Sequence, residues 1–334
     1  MTPVNPLDRR QELPKGLTMR AETVSGYRFN PKDLRIADRT EGISAFLRTR
    51  NGADFIEPTI RSHIGFYDEI IAVFNQCEDE TQAILERLAD EFAPKIKLFH
   101  YMDRVQPLGS KGHAKTPADH PESMVNYSNF ALAQTTRKAV VKLDDDHLAI
   151  PDRVAKICTE FRENRADPTK MHCFSGLNIA RDAKGNFGIP AFERVSGNGD
   201  IGYFYADEDV FFHHDPRFER FGRGKLRRIF AGYFYWHLKF MKAGDGFKNY
   251  ELIENPESRF AKKRVEFEKT RLMTLTETIR EMTPTGMQHI SGKTPGKLAL
   301  NYTRDSAVAA AFKYPDLETA LDATSPGWRQ MLGL

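Results

Sequence analysis

Three consecutive carboxylates, Asp144-Asp145-Asp146, and then His147 stand directly after the apolar run Ala139-Val-Val-Lys-Leu143. A hard divalent cation takes oxygen ligands, and side chains two apart at a strand end point to the same side, so Asp144 and Asp146 can share one ion. Mg2+ or Mn2+ held there could neutralise the charge that develops on a departing diphosphate. The competing use is a helix N-cap, since a helical pattern opens at Pro151. A cap needs only one acid, and three together repel one another unless a cation lies among them. The triplet therefore reads as an Asp-x-Asp cation site suited to a nucleotide diphosphate, with Asp145 beside the nucleotide.

Such a cluster works only if the surrounding elements bring a ligand to it. Ile43–Thr49 reads as a buried strand ending in the polar turn Arg50-Asn51-Gly52, and Pro58 suits the first turn of a helix reaching about Gly65. Asp68–Phe74 is a second strand, ending at Asn75, and Glu78–Glu91 carries apolar residues at helical spacing. Lys95–His100 is a third strand, residues 102–121 a long loop, Glu122–Thr136 a helix, and Ala139–Leu143 a fourth strand leading into the carboxylates. A helix to about Asn164 and a strand over Met171–Ala180 follow, while Tyr235–Ala243 reads as helix-like. Strands alternating with helices predict an α/β fold, a mostly parallel Rossmann-like sheet flanked by helices. In such sheets the ligand crevice lies off the carboxyl ends of the strands, where the turns at Thr49–Asn51, Asn75 and Asp144–His147 all fall. Residues 1–40 read as an N-terminal arm, 41–250 as the catalytic domain (41–153 and 154–250 as its two halves), and 251–334 as a mostly helical C-terminal extension.

Composition narrows the classes further. The 334 residues are 40% hydrophobic, enough for a sizeable core, and a net charge of +3 gives no reason to expect nucleic acid as a partner. No apolar run is long enough for a membrane span, and no apolar segment follows the charges at the N-terminus, so a cytoplasmic protein is expected. Cys77, Cys158 and Cys173 are odd in number and lack metal-like spacing, which fits reduced thiols. Charge is nonetheless uneven. Arg217 to Arg228 carries five arginines and Lys225 against Glu219, with aromatic residues crowded after it, a pattern open to peripheral contact with anionic lipid or to a solvated basic face.

The order of these features resembles the nucleotide-binding half of GT-A glycosyltransferases, nearest to family 2. The segments that carry the likeness are Ile43-Ser-Ala-Phe-Leu-Arg-Thr-Arg-Asn, Asp68-Glu-Ile-Ile-Ala-Val-Phe-Asn, Asn126-Tyr-Ser-Asn-Phe-Ala-Leu-Ala, and Lys142-Leu-Asp-Asp-Asp-His-Leu-Ala-Ile-Pro-Asp-Arg, about a third of the chain. The resemblance implies a sugar transferred from a nucleotide-diphosphate donor, a UDP-sugar, to a glycan or lipid-linked glycan of bacterial surface polysaccharide. Thr49, Arg50 and Asn51 would lie near the nucleoside, Asn75 at the base or ribose, Asp144 at ribose or metal, and Asp146 on the metal. The family usually has aspartate where this chain has Asn75; an amide still offers a donor and an acceptor.

The second half departs from the family. Phe218-Glu219-Arg220-Phe221 resembles an acceptor-side piece, but the Glu-Asp pair expected to supply the general base is replaced by Gly222-Arg-Gly-Lys-Leu-Arg-Arg. An inverting transfer still needs a proton acceptor. Asp207, Glu208 and Asp209, between aromatic segments, are the expected candidates, and an acidic hairpin turn is the alternative. Members of the family often add a downstream histidine to the metal. Of His213, His214 and His237, His214 is placed in the expected ligand set, while His237, inside Phe234-Tyr-Trp-His-Leu, reads as a packed core residue. Two other functions share the pattern. A nucleotidyltransferase would need a glycine-rich phosphate loop where this chain has Arg48-Thr-Arg-Asn-Gly, and a non-catalytic sugar-nucleotide-binding protein would fit the missing base.

Overall fold

The computed structural model describes residues 21–334 apart from 198, 200 and 286–293; residues 1–20 of the expected arm lie outside the described residues. In chain order the elements of the first half are β1 (Glu22–Val24), β2 (Thr40–Thr49), α1 (Ile56–His63), β3 (Glu69–Phe74), α2 (Thr81–Glu91), β4 (Ile96–Tyr101), α3 (Lys111–Lys115), α4 (Met124–Ala133), β5 (Arg137–Lys142), β6 (His147–Ala149) and α5 (Pro151–Arg162). Then come β7 (Lys170–Arg181), β8 (Phe187–Pro190), β9 (Val195–Ser196), β10 (Gly202–Tyr205), β11 (Val210–Asp215), β12 (Phe218–Arg223) and β13 (Arg227–Phe240). The C-terminal part holds α6 (Arg259–Glu268), β14 (Leu272–Met273), α7 (Leu275–Met282), α8 (Pro295–Ala311), α9 (Leu317–Thr324) and α10 (Trp328–Met331).

The main sheet runs β1-β4-β3-β2-β5-β10-β7-β13-β6. Its first five strands are mutually parallel, β10 is antiparallel to both neighbours, β13 is parallel to β7, and β6 is antiparallel to β13. Strands buried on both faces read as continuous apolar runs, and β3 is buried along its whole length. Ile70, Ala72 and Phe74 pack with α1, α2 and α5, whereas Ile71 and Val73 face the opposite layer with Phe130 of α4. This is the α/β architecture expected from the alternating pattern.

Two expectations change. Residues 22–24 are not part of a free arm: β1 pairs in parallel with β4 and extends the sheet edge. The segment Tyr235–Ala243 is not helical; it lies largely in the fourteen-residue strand β13. Its aromatic run has no alternation because β13 is covered on both faces, by β-type packing at Phe234 and Tyr235 on one side and by Trp236 and Leu238 with Phe312 and Leu321 on the other. A continuous apolar run of that kind has no period that separates strand from helix.

Candidate functional site

The carboxyl ends of β2, β3 and β5 open on a cavity of about 490 Å³. Thr49, Arg50, Asn51, Asn75, Asp144, Asp145 and Asp146, the residues expected around the nucleotide, all line it. The opposite wall comes from the second half of the chain, with Glu219, His237, Lys239, Lys242, Asn249 and Tyr250.

The β2 end is tied down locally. Asn51 adopts a left-handed conformation (φ 52°), accepts a hydrogen bond from the Glu78 N–H at 2.8 Å, and donates to Asn249 Oδ1 at 3.1 Å. Thr49 Oγ1 donates to Asp145, and a Cβ added at Gly52 would run into both of these side chains, so that either must shift to admit one. Asn75 lines the cavity, but both its amide hydrogens are committed to the Tyr101 and Asp103 carbonyls at 2.7 Å each. Its amide thus pins the loop after β4, a task that aspartate could not perform.

The three carboxylates meet different cations. Lys142 Nζ lies 2.5 Å from Asp144, and Lys242 Nζ lies 2.6 Å from Asp145 and 2.8 Å from Asp146. Burial alone would raise the Asp144 carboxyl, but Lys142 and His147 outweigh it and hold it low. Burial likewise works against the Asp146 carboxylate, and Lys242 with His237 keeps it well below the usual range. Lys242 in turn is held protonated by the two aspartates against the effect of its burial.

Behind this layer Asp146, His147 and His237 form a compact group whose ligand atoms all lie within 4.8 Å of one another. The pairing of β13 with β6 creates it: His237 stands opposite His147, and the Leu238 N–H donates to the Asp146 carbonyl at 2.8 Å. His237 Nε2 is 3.2 Å from Asp146 Oδ1 without hydrogen-bond alignment, so that oxygen has no hydrogen-bond partner. Both ring nitrogens of His147 are likewise buried without one, although the ring stacks on Tyr235 at 3.6 Å. Burial pushes the His147 pKa down to about 3, leaving a neutral imidazole, the form that binds metals. His237 Nδ1 is bonded to Asn178, which orients the ring with Nε2 toward Asp146. A carboxylate, two imidazoles and orphaned buried acceptors fit a divalent cation, and the mixed nitrogen and oxygen donors suit Mn2+ better than Mg2+. The Lys242 ammonium is already a stand-in cation against the same carboxylate.

The expected ligand set is therefore corrected. Asp146 belongs to the compact group; Asp144 stands outside it with Lys142, its Oδ2 3.7 Å from His147 Nε2. His214 is elsewhere, on the β11–β12 ribbon, with Nε2 3.0 Å from the His113 carbonyl. The expected base is also displaced. Because β10 runs antiparallel to β5, the Ala206 N–H bonds to the Lys138 carbonyl at the amino end of β5. Asp207, Glu208 and Asp209 thus leave the sheet about 20 Å from the Asp144 end, at roughly 3.3 Å per residue, and none of them lines the cavity. They form a tight acidic turn, with the Asp209 N–H on Asp207 Oδ1 at 2.9 Å, but not a hairpin, because β10 lies in the main sheet and β11 pairs with β12. His237, a ligand candidate that reads as a packed core residue, is the histidine that meets Asp146, whereas Lys242 carries no sequence signal beyond lying after an aromatic run.

No protein-family profile matches this sequence, and no curated protein matches it. Among solved structures, S. aureus TarS 1-349 in complex with UDP-GlcNAc is similar at 14% identity over 73% of this chain and 70% of that chain, with a TM-score of 0.36. The same protein with UDP aligns at 13% identity over 87% and 92%, with a TM-score of 0.35. Glucosyl-3-phosphoglycerate synthase from Mycobacterium tuberculosis with Mn2+, UDP and glucosyl-3-phosphoglycerate aligns at 18% identity over 49% and 53%, with a TM-score of 0.27. These likenesses are loose in sequence and shape, and the chemistry proposed below rests on the cavity itself.

Proposed function

We propose that this chain is a metal-dependent glycosyltransferase that takes a sugar from a nucleotide-diphosphate donor, a UDP-sugar on the resemblance. The observation that carries this reading is the convergence of three parallel-strand ends, the Asp144–Asp146 carboxylates and the buried Asp146–His147–His237 group on one cavity. The lining has as many cationic side chains (Arg48, Arg50, Lys142, Lys239, Lys242, Lys248) as carboxylates (Asp54, Asp79, Asp144, Asp145, Asp146, Glu219). A wall balanced in this way favours neither a bare dianion nor a bare dication, and suits the two entering as a pair.

Asp146, with His237 and His147, would hold the cation, which when bound supplies neutralisation of the leaving diphosphate. Lys142 and Lys242 stand where they can meet phosphate oxygens once a cation takes over the carboxylates. Thr49, Arg50 and Asn51 would position the nucleoside at the β2 end. The acceptor, a glycan or lipid-linked glycan of a bacterial surface polysaccharide, would enter beside residues 239–250. Among the described residues no helix is long and apolar enough to cross a membrane; the arginine-rich β11–β12 ribbon is the surface for a peripheral approach to the inner face from the cytoplasm.

Inversion is the course the family resemblance implies, and it needs a free base. Each lining carboxylate is engaged: Glu219 by Arg48 and Ser128, Asp54 by the Ala243 N–H, Asp79 by Thr81 and the Ala53 N–H, and the triplet by lysines. This favours retention as the second reading, with the departing phosphate oxygen taking the acceptor proton. The test of the transferase reading is UDP release from UDP-sugars with Mn2+ in wild type and Asp146→Ala. Cation-dependent release that Asp146→Ala abolishes supports it; release of pyrophosphate from a nucleoside triphosphate and a sugar phosphate would assign a nucleotidyltransferase instead.

A further inference from the structure

Lys239 differs from Lys142 and Lys242 on the cavity wall, whose ammonium groups sit against carboxylates. Its Nζ lies 5.5 Å from the ring centroid of Phe240, 5.1 Å from Phe247 and 5.5 Å from Tyr250. Among the described residues it has no carboxylate within ion-pair distance: Glu193 is taken by Lys263, and Asp146 by Lys242. The stem is fixed from behind by Gly246, in a left-handed conformation at φ +72°, where a Cβ would lie 2.6 Å from Lys239 Cγ. A one-residue bulge sets four residues of β13, His237 to Phe240, against three of β7, Asn178 to Ala180, and such bulges re-aim side chains beside functional sites.

Holding an ammonium half-buried against aromatic faces is costly without an anion. Cation–π contacts return about 0.5–2 kcal/mol, whereas desolvating an ammonium costs several kcal/mol. The nucleotide diphosphate has other cations to meet, because Lys142 and Lys242 already sit against the Asp144–Asp146 carboxylates.

Resting on the transferase reading above, we propose that Lys239 recognises an anionic group on the substrate beyond the nucleotide, a carboxylate or phosphate carried by the acceptor or by the transferred sugar. The aromatic rings exclude water around the ammonium and the cavity leaves it accessible, so a single charge-assisted contact there selects anionic over neutral substrates.

Calorimetry on the full chain with Mn2+ tests this. In the acceptor arm, glycerol 3-phosphate and glycerol are titrated into protein loaded with UDP; in the donor arm, UDP-glucuronic acid is compared with UDP-glucose. We expect wild type to favour the anionic member of at least one pair by about tenfold or more, and Lys239→Gln to lose that preference while Lys239→Arg keeps most of it and UDP affinity stays the same. A preference in the first pair assigns the anion to the acceptor, and one in the second assigns it to the sugar. No preference in wild type for either pair overturns the proposal whether or not the variants fold. An equal loss of affinity for UDP itself in Lys239→Gln also overturns it, by assigning Lys239 to the diphosphate. Failure of UDP to bind wild type with Mn2+ would remove the transferase reading and this inference together, an outcome distinct from UDP binding without anion preference.

Discussion

Lys242 Nζ lies 2.8 Å from Asp146 Oδ2 and 2.6 Å from Asp145 Oδ1, so an internal ammonium sits against the carboxylate proposed to hold a metal and against its neighbour. Cation and lysine therefore compete for the negative charge of the same carboxylate. Lys242→Met leaves two buried carboxylates without a counter-charge, and the metal-free protein should lose roughly 3–5 kcal/mol of stability. Mn2+ should restore much of that loss and bind at least about tenfold more tightly than to wild type. Denaturation with and without Mn2+ measures both effects; unchanged or weaker Mn2+ affinity would contradict the competition.

Gly52 controls the approach of Thr49 to Asp145, since an added Cβ would collide with both side chains. Gly52→Ala should fold, because Gly52 has no left-handed φ, while losing about tenfold in affinity for UDP with Mn2+ as the β2 end shifts. Calorimetry of UDP binding checks this, and wild-type affinity would show that the contact is incidental.

Asn75→Asp would restore the residue usual in the resembled family, yet here it should destabilise. Both amide hydrogens bond to backbone carbonyls at 2.7 Å, and a carboxylate would face those oxygens with nothing to donate. The expected loss is about 1–3 kcal/mol for each bond left unmade, read by chemical denaturation. A stability gain would contradict the scaffold role assigned to the amide.

Acid should weaken the fold from near pH 6.5 downward. His63 is buried, bonded through Nδ1 to the Thr59 carbonyl at 2.9 Å, and burial pushes its pKa down to about 4. A folded pKa below the unfolded one means that the unfolded chain binds the extra proton first. The stability contributed by neutral His63 is thus complete above pH 6.5 and falls with pH, by up to about 1.4 kcal/mol per pH unit, until the folded pKa is reached. His63→Gln should make the stability profile shallower between pH 6.5 and 4, leaving the share of buried His147, and an unchanged slope would assign it to other groups.

The first half of the chain was largely legible because its signals are local. Strand, turn and helix follow in short order, and parallel-strand ends place Thr49, Asn75 and Asp144 on one side whatever the details of packing. The second half was not, because its site residues are positioned by long-range pairing. Nothing near His237 in sequence indicates that it stands opposite His147, and the continuous aromatic run of β13 hides its own secondary structure. Strand direction explains the misplaced acids. Asp207–Asp209 look suitable as a hairpin between aromatic strands, but only the antiparallel register of β10 on β5 shows which edge of the sheet they occupy. His214 has the side chain of a metal ligand, but its strand belongs to a separate ribbon.

The central claim is that Asp146 and His237 hold a cation that recruits the nucleotide. Its most direct measurement is the thermal shift caused by UDP with and without Mn2+, in wild type, Asp146→Ala, His237→Ala, His214→Ala and Asp209→Ala. A ligand that binds only the native state raises its stability. Stabilisation by UDP that requires Mn2+, disappears in Asp146→Ala and His237→Ala, and persists in His214→Ala and Asp209→Ala is the predicted result. Equal stabilisation without Mn2+, or a loss only in His214→Ala, would contradict it.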